Sequence, residues 1–502
     1  MATETTDTAT AVDHLVIGAG FAGVCTAIKL QEAGERDFVV IEKDSDVGGT
    51  WHINTYPGAE CDVPSQLYSY SFALNPDWSK VYSPQPEIWA YVRRVAEESG
   101  TLDRFVFDTA VLDVAWDQGA QRWLVTTTNG DYAARSVIAG TGALAEPALP
   151  DIDGIDGFQG EIFHSARWNH DVDLTGKRIA VIGTGASAIQ LVPELQKVAA
   201  QLDVYQRTPN WIIPRNERRF STLEKALFRR VPAAQRAARV AVYAMLEARA
   251  PAFTRFPVLQ VATETAAKRN IRKAIADPGL REKVTPAYRA GCKRILISNA
   301  YYPALAADNV ELVTDGIAKI TGNAIVTKDG AERPIDVLVV ATGFHVTDPP
   351  IAEHVTGRDG RRLADVWDEH GMAAYKGTTV NGFPNFFQIV GPNVGLGHSS
   401  MIFMIESQVR YVVDAVRTMR REGYGAVEPS ADVQQRWTDA IRERMRPTVW
   451  TTGGCASWYL DKFGNNTTLW PGQTFTFRRQ LSRFDVEKYD VEPVTHEELV
   501  TA

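Results

Sequence analysis

Cysteine is scarce in this chain. Its 502 residues hold four, Cys25, Cys61, Cys292 and Cys455. None sits in a Cys-x-x-Cys pair, and no Cys/His group has metal-ligand spacing, so no metal site is expected. The shortage points to a reducing, cytoplasmic setting. An excess of positive charge is also missing. The 53 lysines and arginines face 61 aspartates and glutamates, a net charge of −8, which leaves no basic footprint for nucleic acid. Long apolar runs are missing too. The longest, such as Val337 to Thr342, are strand-length, so no segment is expected to span or insert into a membrane. Residues 1–13 are polar and read as a frayed tail rather than a secretory signal.

What is present is glycine at telling positions. The length suits two or three domains, and two glycine-rich turns divide the chain. The first, Gly18-Ala-Gly20-Phe-Ala-Gly23, follows the apolar run His14 to Ile17 and opens a helical stretch to about Leu30. Phe38 to Ile41 then reads as a buried strand ending in Glu42, 19 residues after Gly23. Each glycine has its own reason to be there. One makes the tight turn, one lets the backbone approach a pyrophosphate, and one permits close helix–strand packing. The helix N-terminus favours phosphate charge. Glu42 can accept hydrogen bonds from ribose hydroxyls and repels a 2′-phosphate, so FAD or NAD is the expected ligand.

The second turn, Gly183-Thr184-Gly185-Ala-Ser187-Ala188, follows the strand Arg178 to Ile182 and opens a helix through Gln196. The strand Asp203 to Tyr205 leads to Gln206, Arg207 and Thr208. Arg207 stands 19 residues after Ala188, the offset at which Glu42 follows Gly23. An arginine where an NAD site has an acid suits the extra phosphate of NADPH. The expected fold is therefore α/β, with two Rossmann-like dinucleotide-binding domains. The turns Val137 to Gly142 and Asp336 to Phe344 echo one another and read as two crossovers, with the NADPH domain inserted in the FAD domain. The expected limits are 1–146 and 341–502 for the FAD domain and 147–340 for the NADPH domain, with a helical insertion over about 216–290. Phe220 to Phe256 reads as one or two amphipathic helices within it. Its basic face admits contact with a membrane surface or simple solvation; packed helices with solvated arginines are the expectation.

Two longer motifs stand around these turns. Between them lies Phe158-x-Gly160-x-x-x-His164-x-x-x-Trp168-Asn169, and after the first lies Gly48-Gly49-Thr50-Trp51-x-x-Asn54-x-Tyr56-Pro57-Gly58-x-x-x-Asp62. Both resemble fingerprints of the Baeyer–Villiger monooxygenases, and the resemblance runs from Val12 to about Phe484. Asn169 departs from the family's usual Pro or Asp.

The resemblance implies an FAD- and NADPH-dependent enzyme that uses O2, through a flavin C4a-peroxide, to turn a small-molecule ketone into an ester or lactone. It implies that Gly49, Thr50, Trp51, Tyr56 and Asp62 cover the flavin. Lys293 would hold the 2′-phosphate with Arg207 and Thr208. Arg294 would reach flavin and nicotinamide, with Asp62 and His164 completing the catalytic set. Met401 would open a helix whose N-terminus faces the flavin's pyrimidine oxygen. Gly453 to Trp470 reads as a loop whose Trp458, Tyr459 and Trp470 serve either a substrate wall or plain packing. Two other readings are an S- or N-oxidising flavin monooxygenase and a non-oxygenating NADPH oxidase or reductase. A disulfide reductase is disfavoured, because no cysteine pair lies close in sequence. The ketone is not identified by the sequence, and monomer and homodimer both remain open.

Overall fold

Leu15, Val16 and Ile17 are buried, and they form the end of a strand, Thr10–Ile17, that sits at the centre of a sheet. The computed structural model describes residues 9–495. The expected tail is thus corrected in part. Residues 1–8 lie outside the described residues, but Thr10 to Val12 are already strand, paired with Tyr132 to Ala134. The neighbouring strand Gly130–Ala139 supplies the order that this short stretch does not specify locally.

The first sheet has eight strands. Thr10–Ile17 lies between Phe38–Ile41 and Gly130–Ala139, parallel to both. Val111–Asp117 and Arg122–Thr127 extend it as an antiparallel meander. The sheet also takes in two strands from far along the chain. Val355–Thr356 pairs with Val111–Asp117, and Phe386–Gln388 pairs with Gly130–Ala139. The helix Phe21–Glu32 is buried on most of its surface and packs on the long helix Met401–Glu422. Burial of this kind contributes ~1.5–3 kcal/mol per large apolar side chain, so the two ends of the sequence share one core.

The second sheet is drawn entirely from the chain between those two parts. Its five strands are parallel, in the order Val310–Val313, Gln201–Tyr205, Arg178–Ile182, Val337–Val340, Glu161–His164. The chain crosses between sheets near residues 140–148 and 341–345. These crossings run side by side: Ala148 donates to the Gly343 carbonyl at 2.9 Å, and His345 donates to that of Glu146 at 3.0 Å.

The helical insertion is more divided than expected. Thr222–Arg230 starts at a capping box between Ser221 and Glu224, which satisfies two orphan N–H groups. It stops at Val231 because Pro232 has no N–H and instead begins the next helix, Pro232–Glu247. Ala250–Thr254, Gln260–Ala274 and Pro278–Lys283 follow. The insertion is pinned to the first sheet's unit. Gln235 donates to the Asn75 carbonyl at 2.6 Å, and Arg239 to the Gln66 carbonyl at 3.0 Å.

Candidate active site at the junction of the two nucleotide folds

Gly18 has φ +97°, and a Cβ there would lie 2.9 Å from the Gly140 carbonyl oxygen. A Cβ at Gly23 would lie 1.8 Å from the Gly18 carbonyl, so helix and turn touch backbone to backbone. Gly20 faces Gly49 of the covering loop, and a Cβ on Gly49 would sit 2.9 Å from the Gly20 Cα. Two glycine turns thus meet with no side chain between them, a cradle suited to a pyrophosphate. Glu42 is buried and accepts from the Ala19 N–H at 2.6 Å and the Asp44 N–H at 3.0 Å. Burial raises its pKa, and these two bonds oppose the rise. Each carboxylate oxygen keeps a lone pair for a ribose hydroxyl.

The segment of residues 48–62 contains a short helix, Thr50–Ile53. Trp51 is buried and donates to the Tyr68 hydroxyl at 2.9 Å. The loop is stitched to the helix that follows the second glycine turn, Ala188–Gln196. Tyr56 donates to Gln190 Oε1 at 2.9 Å, the Gln190 amide donates back to the Glu60 carbonyl at 2.9 Å, and Gly58 admits the Gln190 carbonyl. Glu60 pairs with Lys80 at 2.7 Å and with Arg215. The Tyr56 hydroxyl is thus engaged by the second unit. Burial pushes its pKa to about 12.

Asp62 ends this loop and meets Arg294 across 232 residues of sequence. The contact is bidentate, Nε to Oδ2 at 2.7 Å and Nη2 to Oδ1 at 2.6 Å. Nη1 has one long contact, 3.5 Å to the Leu396 carbonyl. Asp62 raises the guanidinium's pKa further, so Arg294 is charged at any working pH. Its side chain keeps 28% of its surface accessible. Tyr459, buried, is close enough to interact electrostatically with Arg294. Burial pushes its pKa to about 12.

Cys292, two residues before Arg294, is disulfide-bonded to Cys455. This bond is not legible in the sequence, where 163 residues separate the pair, and it corrects the expectation that the cysteines stay reduced. It ties the loop carrying Trp458 and Tyr459 to the segment carrying Lys293 and Arg294. Cys25 and Cys61 are buried free thiols. Thiol titration of the denatured protein is expected to count two thiols, and four after reduction. A count of four before reduction would show that the bond does not form in solution.

At the second turn, Gly183 has φ +118°, and a Cβ would lie 2.3 Å from the Ala341 carbonyl. Gly18 against Gly140 and Gly183 against Ala341 are the same packing used twice, once at each crossover. Gly185 meets nothing within 4 Å. Ser187 caps the helix Ala188–Gln196 without using its side chain in a cap bond. Thr184 reaches the Thr208 carbonyl at 3.3 Å. Lys293 donates to the Thr208 hydroxyl at 2.6 Å, and its pKa is lowered by burial and by the neighbouring Arg207. Arg207 is exposed and has no ion-pair partner among the described residues. Two cations held together without an acid form a site for an anion.

His164 is buried at the second sheet's edge, where Glu161–His164 ends. Its Nδ1 accepts from the Ala166 N–H at 3.1 Å, which leaves the proton on Nε2. Burial lowers its pKa to about 4, so it is neutral at ordinary pH. Its ring lies edge-on to Phe344, 5.7 Å away, at the second crossover. Among the described residues no contact joins it to Arg294 or Asp62; it sits instead beside the second crossover. Met401 begins the helix Met401–Glu422, with Ser400 accepting from the Ile402 N–H at 3.3 Å. Just before it, His398 pairs with Glu247 of the helical insertion at 3.2 Å. Gln190, Glu60, Leu396, Glu247 and the Cys292–Cys455 bond escape a reading of the sequence. None has a local pattern, because each acts on a residue far away in the chain.

A family model described as pyridine nucleotide-disulphide oxidoreductase matches residues 15–248, which include both glycine turns. The chain is 50% identical to a Baeyer–Villiger monooxygenase of Streptomyces coelicolor, over 95% of this chain and 92% of that relative. Among solved structures, a complex of OTEMO with FAD and NADP superposes with a TM-score of 0.87 at 27% identity, covering 96% of this chain and 100% of the other. An ε-caprolactone-bound cyclohexanone monooxygenase gives 0.85 at 27% identity, with 96% and 100% covered.

Proposed function

This chain belongs to the Baeyer–Villiger monooxygenases, and from that premise we propose how its own residues serve the conversion of a ketone to an ester or lactone. The enzyme depends on FAD and NADPH. When bound, these supply hydride transfer and the activation of O2. Everything else is positioning and charge. The Gly20–Gly49 cradle takes the FAD pyrophosphate, and Glu42 accepts the ribose hydroxyls. Gly183, Thr184, Gly185 and Ser187 take the NADPH pyrophosphate, while Arg207, Thr208 and Lys293 take the 2′-phosphate. Met401 opens a helix whose N-terminus would face the flavin's pyrimidine oxygen. Arg294 supplies fixed positive charge where negative charge grows on the reacting oxygens, and Asp62 holds its plane.

The observation behind this assignment is the bidentate Arg294–Asp62 pair, whose members come from the two different nucleotide units. His164 acts as a positioning residue at the crossover. The strand content of the two sheets supports limits of 147–340 for the NADPH domain. Scarce cysteine supports a cytoplasmic setting, although a reducing compartment has to accommodate the Cys292–Cys455 bond.

The purified protein should be yellow, and NADPH consumption should couple to ester formation for one class in a panel of linear, cyclic, aryl and steroid ketones. Folded protein that takes up no FAD, or that yields sulfoxide and no ester under the same conditions, would overturn the reading. A sharper test uses Gly185. A Cβ there meets no protein atom, so Gly185→Ala should leave the melting temperature unchanged. It should still weaken NADPH by about tenfold, because the methyl group takes the space of the approaching pyrophosphate. Unchanged NADPH affinity would remove this turn from the cofactor site.

A further inference from the structure

The helical insertion carries charge and apolar surface that the nucleotide sites do not use. Residues 216–290 hold sixteen lysines and arginines against six acidic residues, a net of +10 in a chain whose total is −8. The remainder therefore carries −18, and positive charge is segregated onto this one segment. Apolar exposure is segregated with it. Of the nineteen large apolar side chains exposed among the described residues, nine fall between Leu223 and Val261.

The helix Pro232–Glu247 shows how this arises. One face, with Gln235, Arg239, Leu246 and Glu247, is held against the rest of the molecule. The opposite face presents Ala237, Val240, Ala241, Ala244 and Met245 to solvent, with Val240 63% exposed. Leu223 and Leu227, one turn apart on the preceding helix, which packs on this one, are also exposed, as are Phe256, Val258 and Leu259 further along the insertion. Arg230, Arg236 and Arg255, on or next to these helices, are exposed and without ion pairs among the described residues. A solvated helix should show the reverse pattern, with charge on its outer face.

We propose that this face of the helical insertion docks on the surface of an anionic phospholipid bilayer. Clustered exposed apolar side chains mark an interaction surface. Unpaired exposed arginines on the same helices as an exposed apolar stripe match lipid phosphate and hydrocarbon together. A second copy docked face to face would bring the unpaired Arg230, Arg236 and Arg255 of both copies together, so charge disfavours it. No helix among the described residues is long and apolar enough to cross a membrane, so the contact is interfacial.

The test is flotation of the FAD-loaded full chain with vesicles of phosphatidylcholine alone, and of an equal mixture with phosphatidylglycerol. The wild-type protein should float with the mixed vesicles only, and high salt should release it. Each arginine near an anionic surface contributes about fivefold, so Arg230→Gln with Arg236→Gln should weaken binding about thirtyfold. Val240→Asp with Met245→Asp should abolish it. All variants should keep wild-type melting temperature and turnover of a water-soluble ketone. Three results would each overturn the proposal: equal flotation with both vesicle types, flotation that survives both double variants, or a solution dimer that Val240→Asp splits.

Discussion

Replacing Arg294 with alanine is expected to lower ester formation by about two to three orders of magnitude, the ~3–4 kcal/mol that one preorganised transition-state donor contributes. Asp62 takes two of the five guanidinium N–H groups and fixes the plane. The remaining three are free for a reacting oxygen, apart from the long contact to Leu396. Because Asp62 raises the guanidinium's pKa, the charge adds no pH dependence of its own. Lysine should rescue poorly, since a point charge cannot hold both Asp62 oxygens and still present a donor edge. FAD should remain bound, because the cradle of Gly18, Gly20 and Gly49 lies in other segments. Ester formation, FAD absorbance and melting temperature of Arg294→Ala separate the outcomes. A wild-type rate would remove Arg294 from the chemistry, and loss of FAD or of folding would assign it to structure.

Arg207→Ala should weaken NADPH by roughly ten- to a hundredfold and leave NADH nearly unchanged. A charge-assisted hydrogen bond contributes ~1.5–3 kcal/mol, and only NADPH carries the phosphate that would receive it. The geometry gives the reason to expect selectivity. Lys293 is held by Thr208 at 2.6 Å, close enough to Arg207 for the two cations to disfavour each other. Among the described residues neither has an acidic partner, so a bound phosphate relieves the repulsion. Parallel measurements of Kd for both nucleotides decide the matter. Equal losses would show that Arg207 does not read the 2′-phosphate.

Both glycine turns, the opposite charges of Glu42 and Arg207, and the strands Phe38–Ile41 and Arg178–Ile182 are legible in the sequence because their physics is local. A positive φ at Gly18 or Gly183 needs glycine whatever lies elsewhere, and a short apolar run ending at such a turn is a strand of a parallel sheet. The helical insertion is legible in kind but not in number, since the break at Val231 and Pro232 lies inside a run of good helix formers. The motif assigns Tyr56 to the flavin, yet its hydroxyl partner is Gln190 of the other unit. Nothing near Tyr56 in sequence announces that partner.

By itself, then, the sequence determined the two nucleotide units, their charge preference and the family's motifs, all of which rest on spacing within a few tens of residues. Only the tertiary structure decided what those units share: Arg294 fixed by Asp62, the loop of residues 48–62 stitched to Gln190, Cys292 bonded to Cys455, and the apolar, basic face of Pro232–Glu247 left outward. Each joins residues a hundred or more positions apart, or depends on which side of a helix the rest of the molecule covers. Such pairings are set by how the sheets and helices pack, and a side chain carries no local mark of the partner that packing brings to it.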